Sequence, residues 1–429
     1  MRTAKANVSA ASRAALAGAL AGILLFGMET RVGAQLTSGP EVTAGYVVFP
    51  KIVADANGTL GLPTDTYLQL TNSNLLLDAA VECTWIDATG RCGPATSSLC
   101  PTGPGRPCFD NADCAQFPGQ VCIPCWFERD FTVLLTPGQP IAFTASEGQT
   151  DLPCFPLSLD PLVLPPGCAG PNFGGILPAG QIFQGELKCV QVTDFEDPGA
   201  VGTPAGRNDL KGEATIISAD GTVLTSAAYN AYGFRTGEGD GTSNGPLCLS
   251  PPLASPCGES CAKTYGGCPG ILVLDHFFEG ARIFFGDVPS FVRTHLTLTP
   301  CTELIFSGDD ITDQVSTAAQ MLVFNEFEQR FSTSTRVQCY KDIPLADIDT
   351  RPGPADDGFS VFSVAVQGTL VGQTRIRGVA GQETTIGHGL IGVAQEFYRG
   401  PAIDGPLVDT TAFNLHGIGS RLQGDAVCR

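Results

Sequence analysis

Six of the seventeen cysteines fall between Cys92 and Cys125, and this cluster restricts the fold more than any other feature. The stretch PCFDNADCAQFPGQVCIPCW (107–126) alone holds four of them. A structural zinc site wants two short C-x₂₋₄-C or H-x₃₋₅-H pairs. Only Cys122 and Cys125 stand that close, and no histidine lies nearby. A working C-x-x-C dithiol sits at a helix N-terminus after a strand, where the dipole lowers a thiol pKa. Here Trp126-Phe127-Glu128 runs into a strand-like segment instead. The reading left is a covalently knotted loop. Its flanks fit, because Val81, Cys83 and Trp85 alternate with Glu82 and Thr84, and Phe131, Val133 and Leu135 begin a second alternating run. The insert from 88 to 125 is too long for an unbraced hairpin loop. Disulfides worth about 2–4 kcal/mol each supply the order that burial cannot. Which of Cys92, Cys100, Cys108, Cys114, Cys122 and Cys125 pair is left open.

Knotting requires an oxidising compartment, and the start of the chain predicts one. Arg2, Lys5 and Arg13 precede an apolar run from Ala14 to Met28, and Val32-Gly33-Ala34 fits a small-x-small cleavage site. Residues 1–34 therefore read as a secretory signal peptide. The run is shorter than the roughly 18–20 apolar residues of a spanning helix, and no later stretch is long and apolar enough, so no transmembrane segment is expected after cleavage. The expected location is extracellular or periplasmic. The leader carries four basic residues and one acid, so its removal moves the formal charge from −19 to −22. Such a surface argues against nucleic acid or anionic membrane as a partner.

Outside the insert, Cys83 and Cys189 are expected to pair, both lying on the apolar side of strand patterns (VECTW, ELKCV). Cys301–Cys339 is a second expected bridge. Cys154–Cys168 would close a Pro-rich loop, and Cys248, Cys257, Cys261 and Cys268 would form a second local cluster. Cys428 is left over.

The rest of the chain reads as strands. GYVVFPKIVA (45–54), TYLQLT (66–71), GEATIIS (212–218), ILVLDHFF (271–278), MLVFNEF (321–327) and GLIGVAQEF (389–397) are β-branched, aromatic or alternating. Glycine and proline number 52 and 32, an excess over their usual ~12% that fits many turns between short strands. No segment sustains a helical period. The predicted fold is all-β: two immunoglobulin-like β-sandwich modules with a disulfide-rich insert in the first. The modules are expected over 35–234 and 271–429, with a cysteine-rich linker over 235–270. An internal echo sets YLQLTN, VECTWID and GELKCVQVTDF against MLVFNEF, RVQCYKDI and GLIGVAQEFY. Homologous modules and plain architectural repetition both account for it.

QLTNSN, ECTWIDA, LLTPGQP, GELKCVQV, DLKGEATI, YNAYGF and VFNEFEQRFSTST together resemble an uncharacterised family of exported, cysteine-rich, β-rich bacterial proteins. The resemblance spans most of the mature chain. It implies secretion and a β fold, and brings no functional residue with it.

Catalytic motifs fail on context. Gly241-Thr-Ser243-Asn-Gly245 matches G-x-S-x-G, but Pro246 follows where a nucleophile elbow needs a helix. Gly387-His388-Gly389-Leu-Ile-Gly392 matches G-x-G-x-x-G, but a strand-like run follows. His276, His295, His388 and His416 lack metal-ligand spacing and read as packed or surface histidines. Glu238, Asp240 and Asn244 share one glycine-rich loop and are candidate calcium ligands, as are Asp347, Asp349, Asp356 and Asp357. Calcium apart, no cofactor is called for, and no catalytic residue is assigned. The expected function is a secreted, non-enzymatic binding or structural protein whose partner is an extracellular protein or glycan. A carbohydrate-active hydrolase with carboxylates brought together from distant strands, and a calcium-dependent adhesin, stay open.

Overall fold

The computed structural model describes residues 38–96, 106–109, 111–123, 125, 127–146, 182–193, 202–237, 247–249, 261–285, 288–301, 316–338, 340–348, 360–380, 389–402, 405–420 and 425–427. The expected leader lies outside them. Among the described residues no helix is long and apolar enough to cross a membrane. The chain is nearly all β and builds two pairs of packed antiparallel sheets.

In the first pair, β1 (Ser38–Gly39), β2 (Tyr46–Ala54), β4 (Ala79–Asp87), β8 (Phe127–Leu135), β10 (Phe183–Val192) and β13 (Tyr232–Phe234) form one sheet in the order β1-β13-β2-β10-β4-β8. It faces β3 (Thr64–Asn72), β9 (Pro140–Thr144), β11 (Leu210–Asp220) and β12 (Val223–Asn230), ordered β12-β11-β3-β9. Leu68, Leu70, Leu210, Ala214 and Ile216 point inward from the second sheet and meet Phe49, Val81, Trp85, Phe183 and Leu187 of the first. Period-2 alternation places them there: one face of each strand is apolar and is removed from water. Trp85 anchors the core, with Phe131, Phe143 and Phe183 around it at ring-centroid distances of 5.7–5.9 Å.

In the second pair, β16 (Pro269–Phe277), β19 (Ser316–Asn325), β20 (Arg330–Gln338), β22 (Val371–Ala380) and β25 (His416–Ser420) are ordered β20-β19-β22-β16-β25. The facing sheet is β17 (Arg282–Phe285), β18 (Val288–Pro300), β23 (Leu390–Arg399) and β24 (Leu407–Asn414), with β21 (Lys341–Pro344) paired to β18. Leu272, Leu274, Met321, Val323, Ile376, Leu296, Leu298 and Phe362 fill the space between. A short three-stranded sheet of β14 (Leu247–Leu249), β15 (Lys263–Tyr265) and β26 (Asp425–Val427) ties the middle of the chain to its end.

The insert is a small sheet of β5 (Gly90–Pro94), β6 (Pro107–Cys108) and β7 (Gln120–Ile123), locked by Cys92–Cys114 and Cys108–Cys122. Cys125 is also disulfide-bonded. The Cys92, Cys108 and Cys114 sulfurs lie within 4.8 Å of one another, but two bridges packed side by side account for this. Oxidised sulfur offers no thiolate to zinc, and Cys122 is bonded to Cys108 rather than poised as a dithiol with Cys125. Cys83 and Cys189 are directly opposed across β4 and β10 and are joined; Cys248 joins Cys261. Cys268 and Cys301 are both buried in an apolar group with Tyr46, Tyr232, Phe234 and Tyr265, and Leu247 and Leu249 on either side of Cys248 belong to the same group. Cys339, the expected partner of Cys301, lies outside the described residues, as do Cys100, Cys154, Cys168, Cys257 and Cys428.

The two sandwiches meet along β10, every residue of which is buried. Its inward face is Phe183, Leu187 and Cys189. Its other face carries Gln184, Glu186 and Lys188, which a free sandwich would show to water. The second sandwich covers them. Register fixes how. Ile52 pairs with Gly185 and Phe49 with Leu187, so Pro50 and Lys51 together stand opposite Glu186. This is a bulge, the position where a strand tolerates proline. Tyr229 satisfies the bulged backbone: its hydroxyl accepts from the Lys51 amide at 3.2 Å and donates to the Lys51 carbonyl. The bulge sends the Lys51 ammonium across the seam to Asp342 on β21, at 2.6 Å. Lys51 also donates to Thr297, which donates on to Asp342, and Gln184 donates to the same carboxylate, at 3.0, 3.0 and 3.1 Å. Farther along, Asn230 and Asn414 exchange hydrogen bonds of 3.0 and 2.8 Å, and Asp220 accepts from the Leu407 amide.

Candidate functional site

A concavity among the described residues opens at one end of the second sandwich. It encloses about 430 Å³ and is lined by Asp275, His276, Phe277, Phe324, Asn325, Glu326, Val371, Gly372, Gln373 and Glu396. Four strands create it. β16 supplies Asp275 to Phe277 as it ends, β19 supplies Phe324 and Asn325 as it ends, and β22 begins at Val371. From the facing sheet, β23 contributes Glu396 at the edge of the core.

Asn325 sets the rim. It is buried, its carboxamide oxygen accepts from the amides of Phe327 and Gln329, both at 3.0 Å, and its nitrogen donates to Gln329 and to the Gln367 carbonyl. Such a local Asx turn stops the strand and fixes the next residues. Glu326 and Phe327 are thereby held out into solvent, Phe327 with 67% of its surface exposed. Glu328 completes the turn with φ of 59°, the left-handed region that few non-glycine residues enter. Gly372 is required on the opposite wall, because a Cβ there would overlap the Phe278 ring.

The electrostatics run one way. Asp275 and Glu326 are exposed carboxylates on the rim, Asp275 accepting from Gln373 at 3.0 Å. Glu396 is 6% exposed. Burial lifts its carboxyl above the usual carboxylate range, against the pull of the Tyr398 hydroxyl and the Phe277 amide. Tyr398 donates to it at 2.6 Å. His276 adds no compensating charge. Its Nε2 lies 2.8 Å from the Thr374 hydroxyl and its Nδ1 3.1 Å from the Phe277 carbonyl, and burial holds its pKa down to about 4. The cleft thus combines two phenylalanine walls, two carboxamides, two exposed carboxylates and one shielded carboxyl group. The three acids do not converge on one point: among the described residues, only the three cysteine sulfurs form a metal-sized cluster of such ligand atoms. The arrangement suits an organic ligand spread over several contacts.

The residues singled out from sequence fare unevenly. Glu238, Asp240, Asn244 and Ser243 lie outside the described residues, as do Asp349, Asp356, Asp357, Gly387 and His388. Asp347 sits in a one-turn 3₁₀ segment, Leu345–Asp347. Gly392 lies inside β23, a strand, and so opens no phosphate-binding helix. His276 is a packed histidine. His295 lies on the seam, 4.8 Å from the Phe397 ring, its pKa lowered to about 4 chiefly by burial. Sequence reasoning assigned no role to Asp275, Glu326 or Glu396. Each stands within two residues of a phenylalanine towards a strand end (LDHF, FNEF, QEFY), and that is the only local trace they leave. No protein-family model matches the chain, and no curated protein matches it.

Proposed function

We propose that the chain is an exported, non-enzymatic binding protein that takes an extracellular ligand in the cleft of the second sandwich. The cleft carries this reading: apolar walls and separated polar groups stand on paired strands, the usual make-up of a ligand site. The signal-like leader and the disulfides between described cysteines support export. They also agree with the resemblance to exported bacterial proteins and with immunoglobulin-like modules. A glycan array run on the purified mature chain tests the proposal. Capture without turnover, abolished by Gln373→Ala together with Phe324→Ala, is the expected result. If no glycan or extracellular protein is captured by the intact chain, the reading fails.

Glu396 favours a second reading, a carbohydrate-active hydrolase. Burial raises the Glu396 pKa, the direction a general acid needs, and Asp275 and Glu326 stand on the same cleft. Hydrolysis lost in Glu396→Gln, with binding kept, would establish that reading over the first. A calcium-dependent adhesin rests on Glu238, Asp240 and Asn244 and predicts a melting temperature that falls with chelator.

A further inference from the structure

The outer face of the sheet β20-β19-β22-β16-β25 carries a charge pattern opposite to the rest of the chain. On β19, Ala319, Met321 and Val323 enter the core, so Ala318, Gln320, Leu322 and Phe324 face outward. Their cross-strand partners share that face. Arg336 is paired with Ala318 and Arg330 with Phe324. On the other side Arg377 is paired with Gln320 and Arg375 with Leu322. All four arginines are exposed. Every charged residue on the outward faces of β19, β20 and β22 is therefore an arginine, in a chain where acids outnumber Lys and Arg by 43 to 24. Ser332 and Ser334 stand between Arg330 and Arg336 and are also exposed. The acids of this region are gathered at the turn end: Asp275 on β16, and Glu326 and Glu328 beyond β19.

From this face we infer a docking surface for an acidic polysaccharide, which borders the cleft at Phe324 but is built on the arginines. Strand geometry sets its size. Arg330 and Arg336 lie six residues apart, about 20 Å along the strand, and β20 is two strand spacings, about 9.5 Å, from β22. Four charges over that area match a row of spaced anions rather than one small anion. Arginine suits the task because its planar fork binds carboxylate or sulfate through two parallel hydrogen bonds. The Arg375 guanidinium is held in place over the Phe324 ring, 5.3 Å from its centroid. The net charge of −19 sets the class of partner. It repels the dense phosphates of a nucleic acid, whereas a glycan with spaced charges can meet the arginine face alone. The polysaccharide choice rests on the export reading but not on the cleft.

The test uses the intact mature chain with four probes: heparin as the sulfated polymer, polygalacturonate as the carboxylated one, dextran as the neutral control, and double-stranded DNA. At about 50 mM salt one or both acidic polysaccharides should bind and dextran should not, and which of the two binds identifies the anion. Binding should vanish near 1 M salt, where screening lengths shrink to about 3 Å. The pair Arg375→Ser with Arg377→Ser should weaken binding at least tenfold without moving the melting temperature, while Glu396→Gln should leave it unchanged. Failure of both acidic polymers to bind, indifference to the arginine changes, or DNA binding as tight as the polysaccharides would each overturn the inference. Loss of cleft binding alone would leave it standing.

Discussion

Lys51→Met should be among the most damaging single changes in the seam between the sandwiches. The Lys51 and Asp342 side chains are 3% and 10% exposed. Asp342 accepts from Lys51, Thr297 and Gln184. Methionine fills much of the same space but removes the charged donor, a hydrogen bond worth about 1.5–3 kcal/mol. It also strands a carboxylate in the interface, and removing one partner of a buried pair costs about 3–5 kcal/mol in all. The pH dependence distinguishes this cause from simple repacking. Burial alone would raise the Asp342 pKa, but Lys51, His295 and the hydrogen bonds more than reverse it, and the net shift is downward. A carboxylate with a lowered folded-state pKa contributes stability above its unfolded value, about 3.9, and loses it as pH falls through the lower folded one. Without Lys51, Asp342 gains a proton in mild acid and its burial becomes tolerable. The gap between wild type and Lys51→Met should therefore be widest near pH 7 and close towards pH 3. Urea unfolding at pH 7, 5, 4 and 3 measures it. Adding Asp342→Leu to Lys51→Met should recover most of the loss at pH 7, since an apolar pair can replace a buried ion pair at little cost. A single-variant cost under about 1 kcal/mol, or a gap that stays constant down to pH 3, would refute the reasoning.

Removing Cys83–Cys189 by paired alanines should cost about 4–5 kcal/mol, because it closes 106 residues and the entropy of the unfolded chain grows with loop length. Removing Cys108–Cys122, with its separation of 14, should cost nearer 3 kcal/mol; calorimetry of the two variants checks the order. Gly372→Ala should destabilise the second sandwich and distort the cleft by driving the Phe278 ring aside, read as a lower melting temperature together with weaker ligand capture. At the root of the insert, burial raises the Asp87 pKa to about 6, against the Thr89 hydrogen bonds and Arg91. The folded chain then keeps a proton that the unfolded chain releases near 4, so a penalty develops as pH climbs from about 4 to 6. Asp87→Asn should be neutral below pH 4 and stabilising above 6, and a pH series of melting curves would show the crossover or its absence.

The strands were legible because each sandwich core is filled by simple alternation, as in TYLQLTN and GEATIIS. The Cys83–Cys189 bridge could be placed because both cysteines fall on apolar faces of such runs. Asn72 shows how a local signal carries tertiary content. It ends β3 as Asn325 ends β19, and each is a buried carboxamide that accepts from the amide two residues on. That accounts for the repeated strand-then-Asn pattern, although β19 and β20 pair as a hairpin while β3 and β4 lie in different sheets. What could not be read locally was the seam. Gln184, Glu186 and Lys188 look like the wet face of a half-buried strand, and only the second sandwich makes them interior. The cleft was hidden for the same reason, since Asp275 and Glu396 come from strands of two different sheets and Glu326 from the turn after β19. The arginine face was hidden too: RFSTSTR and TRIR lie far apart in sequence, and register alone brings them side by side.

The seam also decides where binding can occur. By burying β10 and much of β18 and β23, it takes the middle of one sheet of each sandwich out of contact with ligands. Ile391 joins the apolar group of Tyr46 and Val48, and Val393 and Ala412 join the first core, so β23 and β24 serve the first sandwich as well as the second. A sheet packed on both faces can tolerate little sequence change without loss of stability. The outer sheet of the second sandwich has no such duty on its solvent face, which carries exposed arginines. The same holds for the turn after Asn325, whose exposed Glu326 and Phe327 satisfy no fold requirement beyond the turn itself. Residues that the core does not need, held rigidly by residues that it does, are the places where a scaffold can acquire specificity. In this chain both such places, the cleft rim and the arginine face, lie on the second sandwich.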